Sequence, residues 1–72
     1  MEFSARMREL RNEKHLTQKQ IGDILNVTER CVRAYEGGDR HPDFKGLLFL
    51  ADYFNVSLDY LVGRTDKREV NR

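Results

Sequence analysis

Arg30 and Arg33 stand three residues apart in the run Glu29-Arg30-Cys31-Val32-Arg33-Ala34-Tyr35-Glu36, a spacing that on a helix brings two guanidinium groups to one side. A guanidinium presents a planar fork of donors suited to paired acceptors, such as the edge of a guanine or the oxygens of a phosphate. Beside them, Glu29 can accept from an exocyclic amine and Ala34 is small enough to meet a methyl group. Other chemistries fit poorly. The single cysteine, Cys31, closes no intramolecular disulfide and has no resolving thiol, and with His15 and His41 it matches no four-ligand zinc spacing. No nucleophile stands with a positioned base, and Gly37-Gly38 reads as a helix terminator rather than a phosphate-binding loop. Neither catalysis, a metal nor a cofactor is expected.

The elements that must position these arginines are helices. Phe3, Met7 and Leu10 recur at spacings of four and three, giving a first helix from Phe3 to Lys14 with Arg6, Arg8, Glu9, Arg11 and Glu13 between the apolar positions. Thr17-Gln18-Lys19-Gln20 has the pattern of a capping box, so a second helix begins there, turns Ile21, Ile24 and Leu25 inward and stops at Asn26, which tolerates a left-handed backbone. Thr28 caps a third helix that ends at Gly37-Gly38. On its helical wheel Val32, Tyr35 and Glu36 share one side, while Arg30, Arg33, Ala34 and Gly37 gather on the other. Asp43 caps a fourth helix whose apolar face is read as Phe44, Leu47, Leu48, Leu50, Ala51 and Phe54, and Ser57 caps a short fifth helix burying Leu58 and Leu61. The result is an all-α fold. Residues 1–63 form the domain, and 64–72 read as a polar tail, uncapped and frayed.

Composition restricts the partners. Seventy-two residues, 39% hydrophobic and 35% charged, make one small globular domain. The charged start and the lack of any long apolar stretch exclude a signal peptide or membrane span, which points to the cytoplasm. With a formal net charge of only +1, binding to double-stranded DNA has to rest on a few placed cations and backbone amides rather than on a broad positive field.

Two capped helices joined by a short turn constitute a helix-turn-helix, whose second helix projects with one face unpacked and fits the major groove. Its free face offers Arg30, Arg33, Ala34 and Glu29. At the start of the second helix, the exposed amides after Thr17 and the side chain of Gln18 suit a phosphate. The segment TQKQIGDILNVTERCVRAYEGGDRHPDFKGLLFLADYFNVSLDYLVG, extended back through RMRELRNEKHL, resembles the Cro and lambda-repressor-like, or XRE-type, family. The resemblance covers nearly the whole chain. It implies a compact five-helix lambda-repressor-like domain, Gln18 as a phosphate contact, Thr28, Glu29, Arg30, Arg33 and Ala34 as the set facing the groove, Arg40 near the DNA backbone, and an architectural pair between Arg11 and Glu36. Against the family pattern, Gly22 replaces an alanine, Asn26 replaces the turn glycine, and Asp39 stands where a basic residue is common, which weakens the phosphate-binding loop.

Phe49 and Tyr53 lie four apart and about 140–180° around the fourth helix from Phe44. They cannot share its core face. They form, with Gly46 and Tyr60, the expected interface of a homodimer, the form in which such a regulator, a repressor or Cro-like protein, binds a partly palindromic operator. A competing reading makes the chain an antitoxin or immunity component acting mainly on a protein partner. The polar outer face of the third helix favours DNA.

Overall fold

The computed structural model describes residues 1–70. Among them run α1 (Phe3–Glu13), α2 (Gln18–Leu25), α3 (Glu29–Gly37), α4 (Phe44–Phe54) and α5 (Leu58–Leu61), with no strand. The helix starts are set by local hydrogen bonds. Thr17, Thr28, Asp43 and Ser57 each have extended backbone and accept with the side chain from the amide three residues on. At Thr17 the box is complete, the Thr17 amide donating to Gln20 Oε1 at 2.8 Å and the Gln20 amide to Thr17 Oγ1 at 3.0 Å. The stops are left-handed residues: His15, Asn26 and Asn55 with φ of 57°, 60° and 56°, and Gly38 at 84°.

These helices close over one core made of Met7, Leu10, Ile21, Val32, Tyr35, Leu50, Ala51, Phe54, Val56, Tyr60 and Leu61. Each helix contributes, so none is stable by itself at these lengths and each is held by packing. The α4 face differs from its sequence reading. Leu50, Ala51 and Phe54 are buried and Leu47 half-buried, but Phe44 is 65% exposed and Leu48 39% exposed. The first turn of α4 projects beyond the core, and the buried arc of Leu47, Leu50, Ala51 and Phe54 takes up only part of the predicted face, leaving Leu48 at its open edge. Nothing in α4 is long and apolar enough to cross a membrane, nor is any other described helix.

The segment after α5 also departs from expectation. Instead of fraying, residues 64–70 fold back across α5 and α1, tied by the Ser57 amide donating to the Arg68 carbonyl at 2.9 Å. Residues 71–72 of the expected tail lie outside the described residues. Arg68 donates from Nε to the Tyr60 hydroxyl at 3.0 Å and grips both carboxylate oxygens of Glu13, one of them from Nη1 at 2.7 Å. From the other side Arg6 lies over the Tyr60 ring, 3.8 Å from its centre, and donates to Asp66 at 3.1 Å. Tyr60 is only 3% exposed. It is a core residue covered by two guanidinium groups, so its assignment to a dimer interface is corrected. Gly46 is likewise taken up within the chain: a Cβ there would stand 2.7 Å from Cβ of Pro42, so the glycine lets the loop before α4 pack onto the helix.

The Arg68 hydrogen bond holds the Glu13 carboxyl below the ordinary 4.5, and partial desolvation opposes this less strongly. A depressed folded pKa contributes stability that is present above the unfolded value and lost as pH falls through the folded one. The tail is therefore expected to stay docked at neutral pH and to loosen below about pH 4.5. Tyr60 ring resonances followed from pH 7 to pH 2.5 check this, and shifts that stay flat through the whole range would contradict the docking.

Candidate nucleic-acid interface

The interface is built on the α2-turn-α3 unit. The Val27 amide donates to the Gly22 carbonyl at 2.8 Å and the Asn26 amide to Asp23 at 3.3 Å, which folds the chain back directly after α2. Gly22 is buried where a Cβ would come 2.9 Å from the Val27 carbonyl oxygen. The missing side chain lets the turn lie against α2. The departures from the family pattern at Gly22 and Asn26 thus serve the same tight corner. The amide of Cys31 donates to Thr28 Oγ1 at 3.0 Å, fixing the first turn of α3.

Val32, Tyr35 and Glu36 anchor the inner side of α3. Glu36, 3% exposed, is a carboxylate in the core and needs partners. Arg11 supplies two, donating from Nε at 2.6 Å and from Nη2 at 3.0 Å, while its Nη1 donates to the Leu16 carbonyl at 2.8 Å. The Arg11–Glu36 pair implied by the family resemblance is present. Two further groups converge on the same carboxylate: Gln18 donates from Nε2 at 3.3 Å, and Arg8 Nε stands 3.6 Å away with its Nη2 donating to the Glu36 carbonyl at 3.0 Å. One buried charge therefore joins α1, the start of α2 and the last turn of α3.

The outer side of α3 is open. Thr28, Glu29, Arg30 and Arg33 are exposed, Ala34 is half-buried, and Arg40 is exposed in the loop beyond, where its amide and that of Asp39 both donate to the Ala34 carbonyl. Arg33 Nη1 lies 3.8 Å from Glu29 Oε2, a spacing of one turn that orients both side chains. Arg30 has no ion-pair partner among the described residues. At the start of α2, Thr17 is exposed but Gln18 is half-buried and turned towards Glu36. One of its two amide hydrogens is committed there, leaving the other and the first amides of α2 to face outward.

Two cations bordering this surface were not singled out from sequence. Arg8 is exposed and held beside Gln18 by Glu36, and Lys19 is exposed in the first turn of α2. The signal for Arg8 was its place one turn before Arg11 on the same helix. Arg8, Lys19, Arg30, Arg33 and Arg40 are all exposed around the α2-turn-α3 unit, so cations are available there although the chain is nearly neutral. Of the residues assigned to self-association, Phe49 is 46% exposed and stacks on Tyr53 with ring centres 6.4 Å apart. Tyr53 is half-buried, edge-on to Phe54 and under the Lys14 ammonium.

Known proteins share this fold. An HTH-type transcriptional regulator of Bacillus subtilis, the uncharacterized YqaE, is 42% identical over 60 residues, covering 83% of this chain and 52% of its own length. The chain spans about half the length of curated relatives it matches. The crystal structure of a transcriptional regulator from Listeria innocua superposes with a TM-score of 0.83 at 40% identity, covering 86% of this chain and 58% of the other. The P22 c2 repressor, crystallised with a synthetic operator, superposes with a TM-score of 0.79 over 86% of this chain and 94% of its own; at 24% identity this likeness speaks for the fold. A helix-turn-helix family model matches residues 7–61, which span α1 to α5 and include the capped corner and the Arg11–Glu36 anchor, and the chain belongs to the helix-turn-helix family.

Proposed function

We propose that this chain is the DNA-binding part of a transcriptional regulator, a repressor or Cro-like protein that sets α3 into the major groove of a partly palindromic operator as a homodimer. The observation that carries the reading is the outer face of α3: Arg30 and Arg33 stand exposed on a helix whose opposite side is locked into the core by Val32, Tyr35 and Glu36. In this reading Arg30 and Arg33 contact guanine edges or phosphates, Glu29 holds Arg33 or accepts from cytosine, Ala34 meets a thymine methyl, and Thr28 borders the groove. Thr17, Gln18 and the first amides of α2 hold a phosphate, and Arg40 touches the DNA backbone. The names of the Bacillus subtilis and Listeria innocua relatives, both transcriptional regulators, agree with it. The protein acts in the cytoplasm, without catalysis, by occupying or recruiting at a promoter.

Selection of bound duplexes from a random pool, followed by titration of the preferred sequence against salt, tests the proposal. A preferred site with two half-sites about 34–36 Å apart is expected, with affinity falling steeply as salt rises. Gln18→Ala should weaken every sequence by a similar factor, because a phosphate carries no sequence information. A pool that shows no enrichment would remove DNA as the ligand.

A further inference from the structure

The outward face of α4 has the pattern of a helix that pairs with itself. Lys45, Leu48, Phe49 and Asp52 follow one another at spacings of three, one and three, which places all four within about 100° of arc. All four are exposed. Leu48 and Phe49 form an apolar centre opposite the buried arc of Leu47, Leu50 and Phe54, and Phe44 extends it at the N-terminal end. The charges are ordered, with the cation one turn before the apolar centre and the anion one turn after it. Neither Lys45 nor Asp52 has an ion-pair partner among the described residues.

We infer that a second copy of this chain packs on this face with its α4 antiparallel, the two-fold axis passing between Leu48 and Phe49. The inference rests on the dimeric reading above and supplies its geometry. Residues 45 and 52 are equidistant from that axis, so Lys45 comes level with the partner's Asp52, and Asp52 with the partner's Lys45. A parallel or shifted pairing loses this match, since an isologous interface demands that one surface complement itself under the two-fold. The apolar pairs at the axis supply the driving force and the rim charges fix direction and register. Tyr53, packed on Phe54 and beneath Lys14, sits at the rim. An interface centred on one helix from each copy lies at or below the lower end of specific interfaces, about 1,200 Å² in total. Association in the micromolar range or weaker follows, tightened when an operator holds both copies.

Sedimentation equilibrium of the 72-residue chain without DNA, from about 1 μM to about 1 mM, tests this with Lys45→Glu, Asp52→Lys and the double variant. The chain itself is expected to dimerise. Each single reversal sets like charges opposite each other twice and should weaken association at least about tenfold. The double variant restores both pairs and should recover it. Mixing the two single variants should give a heterodimer stronger than either homodimer, because both cross pairs are then between opposite charges. Thermal melts establish that all variants fold, which is expected of exposed positions. Single variants that associate as tightly as the parent, or a parent monomeric across the whole range, would overturn the inference. Binding of the Lys45→Glu variant to a duplex holding one half-site separates this from the DNA reading. That binding should match the parent, and a parent unable to bind the half-site would count against the DNA reading while sedimentation still decides the α4 pairing.

Discussion

Replacing Glu36 with alanine is expected to cost the domain about 3–5 kcal/mol, the range for removing one partner of a buried ion pair. The carboxylate side chain is 1% exposed and that of Arg11 is 14% exposed, so without Glu36 the Arg11 guanidinium is left in the core with only the Leu16 carbonyl. Gln18 and Arg8 lose their common acceptor as well. A chain of 72 residues has a total stability of about 4–11 kcal/mol. The variant should therefore lose about a quarter or more of that stability, and a domain at the lower end of the range would be largely unfolded. Urea unfolding followed by far-ultraviolet circular dichroism measures the loss, and Glu36→Gln, which keeps the shape and an acceptor oxygen, should fall between the two. A loss of less than about 1 kcal/mol would mean that the pair is dispensable.

How much of this was legible beforehand depends on the range of the interaction. The caps at Thr17, Thr28, Asp43 and Ser57 and the left-handed stop at Asn26 are written in three or four consecutive residues, and each stands where its local chemistry places it. The inner and outer sides of α3 follow from its period alone. The Arg11–Glu36 pair came from family resemblance, since nothing in a spacing of 25 residues identifies it. What escaped was of longer range still. Tyr60 was assigned to the surface because the residues covering it, Arg6 and Arg68, reach it from opposite ends of the chain; the Arg68–Glu13 contact spans 55 residues and the Arg6–Asp66 contact 60. The wheel of α4 puts Phe44 in the core because it shows which side of a helix is apolar but not how far along the helix the core extends. The position after the cap turns Gln18 outward, and the buried carboxylate on α3 draws its side chain in. The self-complementary order of Lys45, Leu48, Phe49 and Asp52 was present in the sequence, but it acquired meaning only once α4's buried arc was known.

Arg30→Ala is expected to weaken binding to the preferred duplex by about 1–3 kcal/mol, roughly five- to more than a hundredfold, with relaxed preference at one base pair. Arg33→Ala should act in the same range at a neighbouring pair, moderated where Glu29 already engages the guanidinium. Both residues are exposed and neither contributes to the core, so folding should be unchanged. On random duplex the loss should be small, because there an arginine contributes only its charge. The ratio of affinity for the selected duplex to affinity for random duplex, measured at one salt concentration for the parent, Arg30→Ala and Arg33→Ala, tests directly whether α3 reads DNA. A ratio well above one in the parent that drops about fivefold or more in each variant is the predicted result; equal losses on both duplexes, or a ratio the substitutions leave untouched, would contradict it.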